Sequence, residues 1–170
     1  MLIRDKYMDR STKYFTKYAL ASPVFMWTIV AVGAVTLWLS IPIGNAFVRT
    51  SWAVILFFDG LLNWIYVYGI TLRIHPNIVR SVAGVTTLVT EGSYAVVRHP
   101  LYVSDIILAW SVFIWFPTYT VLAVVLWLTV VLLFWSNLEE WMLEEKFLDE
   151  YRLYKQKVPR FIPRLRPLSK

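Results

Sequence analysis

Hydrophobic positions in this chain come in long blocks, and polar residues are confined to the gaps between them. Residues 19–40 and 51–72 are two apolar runs, each about as long as the roughly 20 helical residues that a bilayer core requires. Two shorter runs, 101–116 and 119–136, are separated only by Pro117 and Thr118. That spacing predicts a tight antiparallel helical hairpin. Pro23 falls in the first turns of the first run, where proline is tolerated. Ile41-Pro42-Ile43-Gly44-Asn45 reads as a turn. From residue 137 to Val158-Pro159 the chain is charged and helical in pattern. Glu139, Leu143, Phe147 and Tyr151 recur every four residues there, so Glu139 shares a face with an apolar stripe. Glu140, Glu144, Glu145, Asp149 and Glu150 are expected on a solvated face. The end of the chain, rich in proline and arginine, cannot form a regular helix.

These blocks predict an all-α, multi-pass membrane protein with about four spans, forming a single domain over residues 1–170. Composition agrees: 58% of the residues are hydrophobic and 16% charged, against about 45–50% and 25% in soluble domains. Residues 1–18 mix Arg4, Lys6, Arg10, Lys13 and Lys17 with aromatic residues and read as a basic interfacial segment. The apolar run that follows is too long for a signal peptide and lacks a clear small-residue cleavage site. Of the 17 Lys and Arg residues, five precede the first span, three lie in the 73–100 connection and eight follow Ser136. Only Arg49 lies on the opposite side. The positive-inside rule then puts both termini and the long polar connection in the cytoplasm. With basic residues flanking apolar runs, a net charge of +6 points to anionic lipid headgroups as partner rather than nucleic acid. There is no cysteine and there are two histidines, which removes thiolate chemistry and leaves little from which to build a metal site. No internal repeat suggests an inverted-repeat transporter. The sequence carries no information on oligomeric state.

Candidate chemistry centres on Gly92–Tyr102. Proline at the first helical position loses nothing, and it pushes the preceding residue out of the α region. A helix should therefore start at Pro100, with Arg98 and His99 at its mouth. Unpaired N–H groups and the helix dipole favour an anionic ligand group at such a mouth. An interfacial Arg-His anchor is the simpler alternative. Two acids lie inside apolar runs. Asp59, four residues before Asn63 and on one face with it, is expected to face the protein interior, because a carboxylate at that depth is costly. Asp105 suggests that its short helix meets protein or water. Both are candidates to take a proton.

The segment Thr-Thr-Leu-Val-Thr-Glu-Gly-Ser-Tyr-Ala-Val-Val-Arg-His-Pro-Leu-Tyr (86–102) resembles the core motif of the isoprenylcysteine carboxyl methyltransferase family. The later pattern of Glu139-Glu140, Leu143, Phe147, Tyr151, Tyr154, Val158-Pro159-Arg160 and Ile162-Pro163 resembles its closing motif. Phospholipid N-methyltransferases share a related architecture. The resemblance implies an integral-membrane enzyme that uses S-adenosylmethionine without a Rossmann fold, and no Gly-x-Gly-x-x-Gly signature is present. By that resemblance Thr86, Thr87, Leu88, Val89, Tyr94, His99, Pro100, Leu101, Tyr102 and Glu139 contact the cofactor, and Trp135 occupies a substrate position. Two positions depart from the family pattern: Thr86 replaces a histidine, and Trp135 replaces the arginine that holds a substrate carboxylate. Tryptophan cannot form a bidentate ion pair, whereas its face attracts cations. The acceptor, whether carboxylate, amine or thiol, is left open. Membrane sterol reductases also carry an Arg-His-Pro-x-Tyr segment, with residues like Asp105 and Ala109-Trp110-Ser111, so an NADPH-dependent reductase is the alternative enzyme. A non-catalytic membrane scaffold is the alternative without chemistry.

Overall fold

The computed structural model describes residues 22–44, 51–74 and 87–164. The basic segment 1–18 and Thr86 lie outside the described residues. Four α-helices follow in order: α1 (Pro23–Ser40), α2 (Ala53–Ile74), α3 (Pro100–Trp115) and α4 (Tyr119–Lys157). A short 3-10 turn, Gly92–Ala95, precedes α3. Helices α1, α2 and α4 are long and apolar enough to cross a membrane, and α3 is a shorter apolar helix. No β-strand occurs among the described residues.

Local chemistry sets the helix limits. Ser22 caps α1 by accepting from Phe25 N, with Pro23 in the first turn. Before Pro42 the helix ends, because the residue preceding a proline leaves the α region. Thr28 and Thr36 lie on α1 and donate to the carbonyls of Val24 and Val32, 2.8 Å in each case. In a bilayer a hydroxyl needs such an internal acceptor. Thr118 accepts from Val121 N and starts α4 directly after Pro117, which closes the expected hairpin.

In space, α3 packs between α2 and α4, and α1 packs on α4. Between α1 and α4, Met26, Val30, Val131, Leu132 and Trp135 form the buried core. Close approach there depends on Gly33. A Cβ at that position would collide with the Trp127 indole, which donates from Nε1 to Ile29 O at 3.3 Å. Small residues at a helix crossing allow this approach, and packing is what holds helices together once lipid surrounds them. The outward faces stay apolar, with Val32, Val35, Leu39, Ile55, Leu62, Ile65, Val130 and Phe134 exposed.

Between α2 and α3 the contact is polar at its centre. Trp64 Nε1 donates to Asp105 Oδ1 at 2.8 Å, and Tyr68 OH reaches both Asp105 oxygens at 3.0 and 3.1 Å. Asp105 is thus buried against protein. Asp59 is not: its position on α2 is exposed, contrary to the expectation that it faces inward. It lies one residue beyond Phe57 and Phe58, which pack with Trp115 at ring distances of 4.3 and 5.9 Å. Asp59 is the seventh residue of α2, about 9 Å from its start, so its carboxylate lies within the first two turns rather than at the middle of the span.

The fourth span and the charged segment after it run together as α4, two helical stretches joined across a kink. Its only non-helical residue is Leu148, at φ 47° and ψ −119°. The break redirects the last turns, so that Tyr151, Tyr154 and Val158 pack with Leu88, Leu143 and Phe147.

Candidate functional site

The polar residues collect at the end of the bundle where α4 leaves its apolar stretch. Here the segment before α3 is stitched to the segment after α4. Arg98 N donates to Pro159 O at 2.9 Å and His99 N to Arg160 O at 3.3 Å. Tyr154 OH donates to Tyr94 O at 2.7 Å. Thr71 on α2 bonds Ser93 through their hydroxyls at 3.0 Å. Gly92, at φ 62°, makes the turn that aims this segment, in a backbone region that other residues enter at a cost.

Arg98 serves two elements at once. Its Nη1 donates to the carbonyls of Lys155 and Val158, at 3.1 and 2.8 Å. The last carbonyls of a helix lack internal partners and carry the negative end of its dipole, so a guanidinium suits them. Its Nε and Nη2 both lie 2.9 Å from Glu140 Oε1.

Glu140 is the centre of the cluster, which overturns the expectation that it lies on a solvated face. It is 6% exposed. His99 Nε2 approaches the same Oε1 at 3.1 Å, Arg160 Nε is 3.1 Å from it, and Lys155 Nζ is 3.7 Å from Oε2. Burial disfavours the carboxylate charge, but the hydrogen bonds of His99 and Arg98, with their charges, outweigh it and hold Glu140 at about 2. Leu132 and Ser136 are both buried and, with Glu140, repeat every four residues along α4.

Glu139 keeps a position at the mouth of α3. Tyr102 OH donates to its Oε1 at 2.6 Å, and its Oε2 lies 3.6 Å from His99 Nδ1. Its side chain is 19% exposed. His99 therefore has a carboxylate on each ring nitrogen. Burial works against the imidazolium, yet bonds to Glu139 and Glu140 and their charges prevail and raise its pKa. The His99 and Tyr102 rings stack, 5.6 Å apart and within 2° of parallel.

Of the residues named from sequence, the structure brings together Tyr94, His99, Pro100, Tyr102 and Glu139. Pro100 is the first residue of α3 and is buried, and Leu101 is half-buried beside it. Thr87 is exposed at the start of the described segment and Val89 is half-buried. Leu88 packs on the Tyr151–Tyr154–Val158 cluster. Trp135 sits one helical turn from Glu139, 3% exposed, and its Nε1 has no acceptor among the described residues. Asp105 is six residues into α3 and committed to Trp64 and Tyr68. Asp59 is not brought to the cluster. It precedes Thr71 by twelve residues on α2, roughly 18 Å along the axis. Glu140, Lys155 and Arg160 were not singled out as site residues from sequence, since helical periodicity places charges without showing which of them a distant segment covers.

Glu139 offers a partly exposed carboxylate oxygen, and Arg160 has two buried donors, Nε and Nη2, with no hydrogen-bond partner among the described residues. Residues 29–150 match the family described as phospholipid methyltransferase. No curated protein and no solved structure matches the chain. The match takes in most of α1, all of α2 and α3, the loop that carries Arg98 and His99, and α4 through Glu139 and Glu140 to residue 150, and on that extent the chain belongs to the phospholipid methyltransferase family of membrane methyltransferases.

Proposed function

We propose that this protein transfers a methyl group from S-adenosylmethionine to a lipid amine at the membrane surface. The observation that carries the reading is the position of Glu139. It lies at the boundary between a buried apolar wall, Trp135 with Met26 and Leu132, and the ionic cluster around His99. A water-soluble donor and a bilayer-embedded acceptor can meet at such a boundary. The bias of Lys and Arg toward this end of the bundle supports a cytoplasmic site.

The donor supplies an electrophilic methyl on a positively charged sulfur. Glu139, already oriented by Tyr102 and His99, presents negative charge to that cation. His99 is itself fixed on both nitrogens, so Glu139 is held without needing to reorganise on binding. Trp135 stands where the resemblance has an arginine and is packed into the α1–α4 core, so this position offers no cation to hold a carboxylate acceptor. The apolar wall excludes water from the acceptor. An amine acceptor sheds a proton as it is methylated. Of the two acids considered for that role Asp105 is the nearer, at the cost of its bond to Tyr68 or Trp64, whereas Asp59 lies near the other end of α2.

Calorimetric titration of the detergent-purified protein with S-adenosylmethionine and S-adenosylhomocysteine tests the cofactor half of this reading. Micromolar binding that weakens at least tenfold in Glu139→Ala is expected. Transfer of a labelled methyl to phosphatidylethanolamine tests the acceptor half. Absence of cofactor binding by the wild-type protein would overturn the reading.

A further inference from the structure

Arg160 is over-supplied with donors for the acceptors around it. Its backbone is fixed, because its carbonyl accepts from His99 N. Its guanidinium lies over the Phe161 ring, 5.3 Å from the centroid, leaving the edges of the plane available. Nε is 3.1 Å from Glu140 Oε1 but makes no aligned hydrogen bond with it, and Nη2 has no partner among the described residues either. Oε1 is already engaged by Arg98 and His99. Both atoms are buried although the side chain is 28% exposed, so the donors point into the protein. An unmatched buried donor is costly, and one belonging to a charged group more so.

Two further facts define what would match them. Nε–H and one Nη2–H lie on the same edge of the guanidinium plane and point the same way, a fork that fits two oxygens of one carboxylate or phosphate. Charge also calls for an anion. Glu140 is shared by Arg98, His99, Lys155 and Arg160; Lys155 has a second carboxylate in Glu144, 3.3 Å from its Nζ, whereas Arg160 has no carboxylate but the shared Glu140 among the described residues.

We propose that Arg160 is an anion-binding residue of this site, its Nε/Nη2 edge gripping two oxygens of a ligand: the α-carboxylate of the methyl donor or the phosphate of the lipid headgroup. The choice between these two sources rests on the methyl-transfer reading above; the fork itself does not. Glu139 and Arg160 then receive opposite charges of the bound molecules, with His99 between them.

The test is calorimetry on the full-length, detergent-purified protein, comparing wild type with R160K and R160M. R160K keeps the charge beside Glu140 but lacks the fork, which guards against loss of folding. The probes are S-adenosylhomocysteine, 5′-methylthioadenosine, which has the nucleoside and sulfur without the amino-acid end, and a soluble short-chain phosphatidylethanolamine. Both variants are expected to lose at least tenfold in affinity for one anionic ligand and to keep the affinity for methylthioadenosine within twofold. Loss confined to S-adenosylhomocysteine assigns the fork to the carboxylate, and loss confined to the lipid assigns it to the phosphate. Unchanged binding of both, or a parallel loss for methylthioadenosine, overturns the proposal. If the wild type binds neither nucleoside, the methyl-transfer reading falls and Arg160 is judged on the lipid alone, where equal binding by R160K overturns it.

Discussion

Glu140 and His99 are the residues on which the cluster depends most. Removing Glu140 leaves Arg98 and His99 buried beside a carboxylate that is gone, and breaking a buried pair in this way costs about 3–5 kcal/mol. Glu140→Ala should therefore lower the thermal midpoint in detergent clearly, whereas Glu139→Ala, at a half-buried position engaged by Tyr102 OH and, at 3.6 Å, His99 Nδ1, should lower it less and act on cofactor affinity. The pH dependence follows from the two shifts. Glu140 is depressed from its ordinary 4.5 to about 2, so its contribution is present above pH 4.5 and is lost as pH falls toward 2. His99 is raised from 6.5, so its contribution is full below 6.5 and fades as pH rises through the folded value. The stability gap between wild type and His99→Gln should accordingly narrow between neutral and alkaline pH in thermal melts, and a gap that widens would contradict the doubly bonded imidazolium.

At the scale of elements, two contacts hold the spans in register. Asp105 is the only acceptor that Trp64 Nε1 and Tyr68 OH have among the described residues. Asp105→Ala strands both donors, at about 1–3 kcal/mol for an unsatisfied buried group, and should loosen α2 from α3. Its counterpart on the other side is Gly33. A leucine there meets the Trp127 indole, and overpacking of this kind costs about 1–3 kcal/mol. Thermal unfolding of Gly33→Leu in detergent should show the loss, and Trp127→Ala in the same background should relieve the clash and recover part of it. A Gly33→Leu protein with an unchanged midpoint would mean that α1 does not approach α4 as closely as Trp127 Nε1 and Ile29 O require.

For the whole molecule, the arrangement across the bilayer is directly testable, since the sequence contains no cysteine. Glu91 precedes the 3-10 turn, Lys157 closes α4, and both are exposed at the ionic end. Ile43, 68% exposed, lies in the turn after α1, at the opposite end. In sealed vesicles a membrane-impermeant maleimide should modify Glu91→Cys and Lys157→Cys from one side and Ile43→Cys from the other. Labelling of Ile43→Cys and Lys157→Cys from the same side would exclude an α4 that crosses the membrane between them.

The sequence by itself determined the class of protein, the spans and the start of α3. These follow from local rules: apolar length against bilayer thickness, proline at Pro42, Pro100 and Pro117, and a serine or threonine ahead of a helix. It also marked both segments that meet in the ionic cluster, because Tyr94, His99, Tyr102 and Glu139 sit in two short motifs whose spacing is visible along the chain. Only the tertiary structure decided which acid is buried. Helical period placed Glu139 on the apolar stripe and Glu140 outside it, but the stitching of Arg98 and His99 to Pro159 and Arg160 covers the neighbouring face. Asp59 shows the converse. The cost of a carboxylate in hydrocarbon argued for an inward face, and the structure instead leaves it exposed within the first two turns of α2. Burial of a charge is settled by what the rest of the chain brings to it, here the segment after the last helix, and a periodicity read along one helix contains no information about that partner.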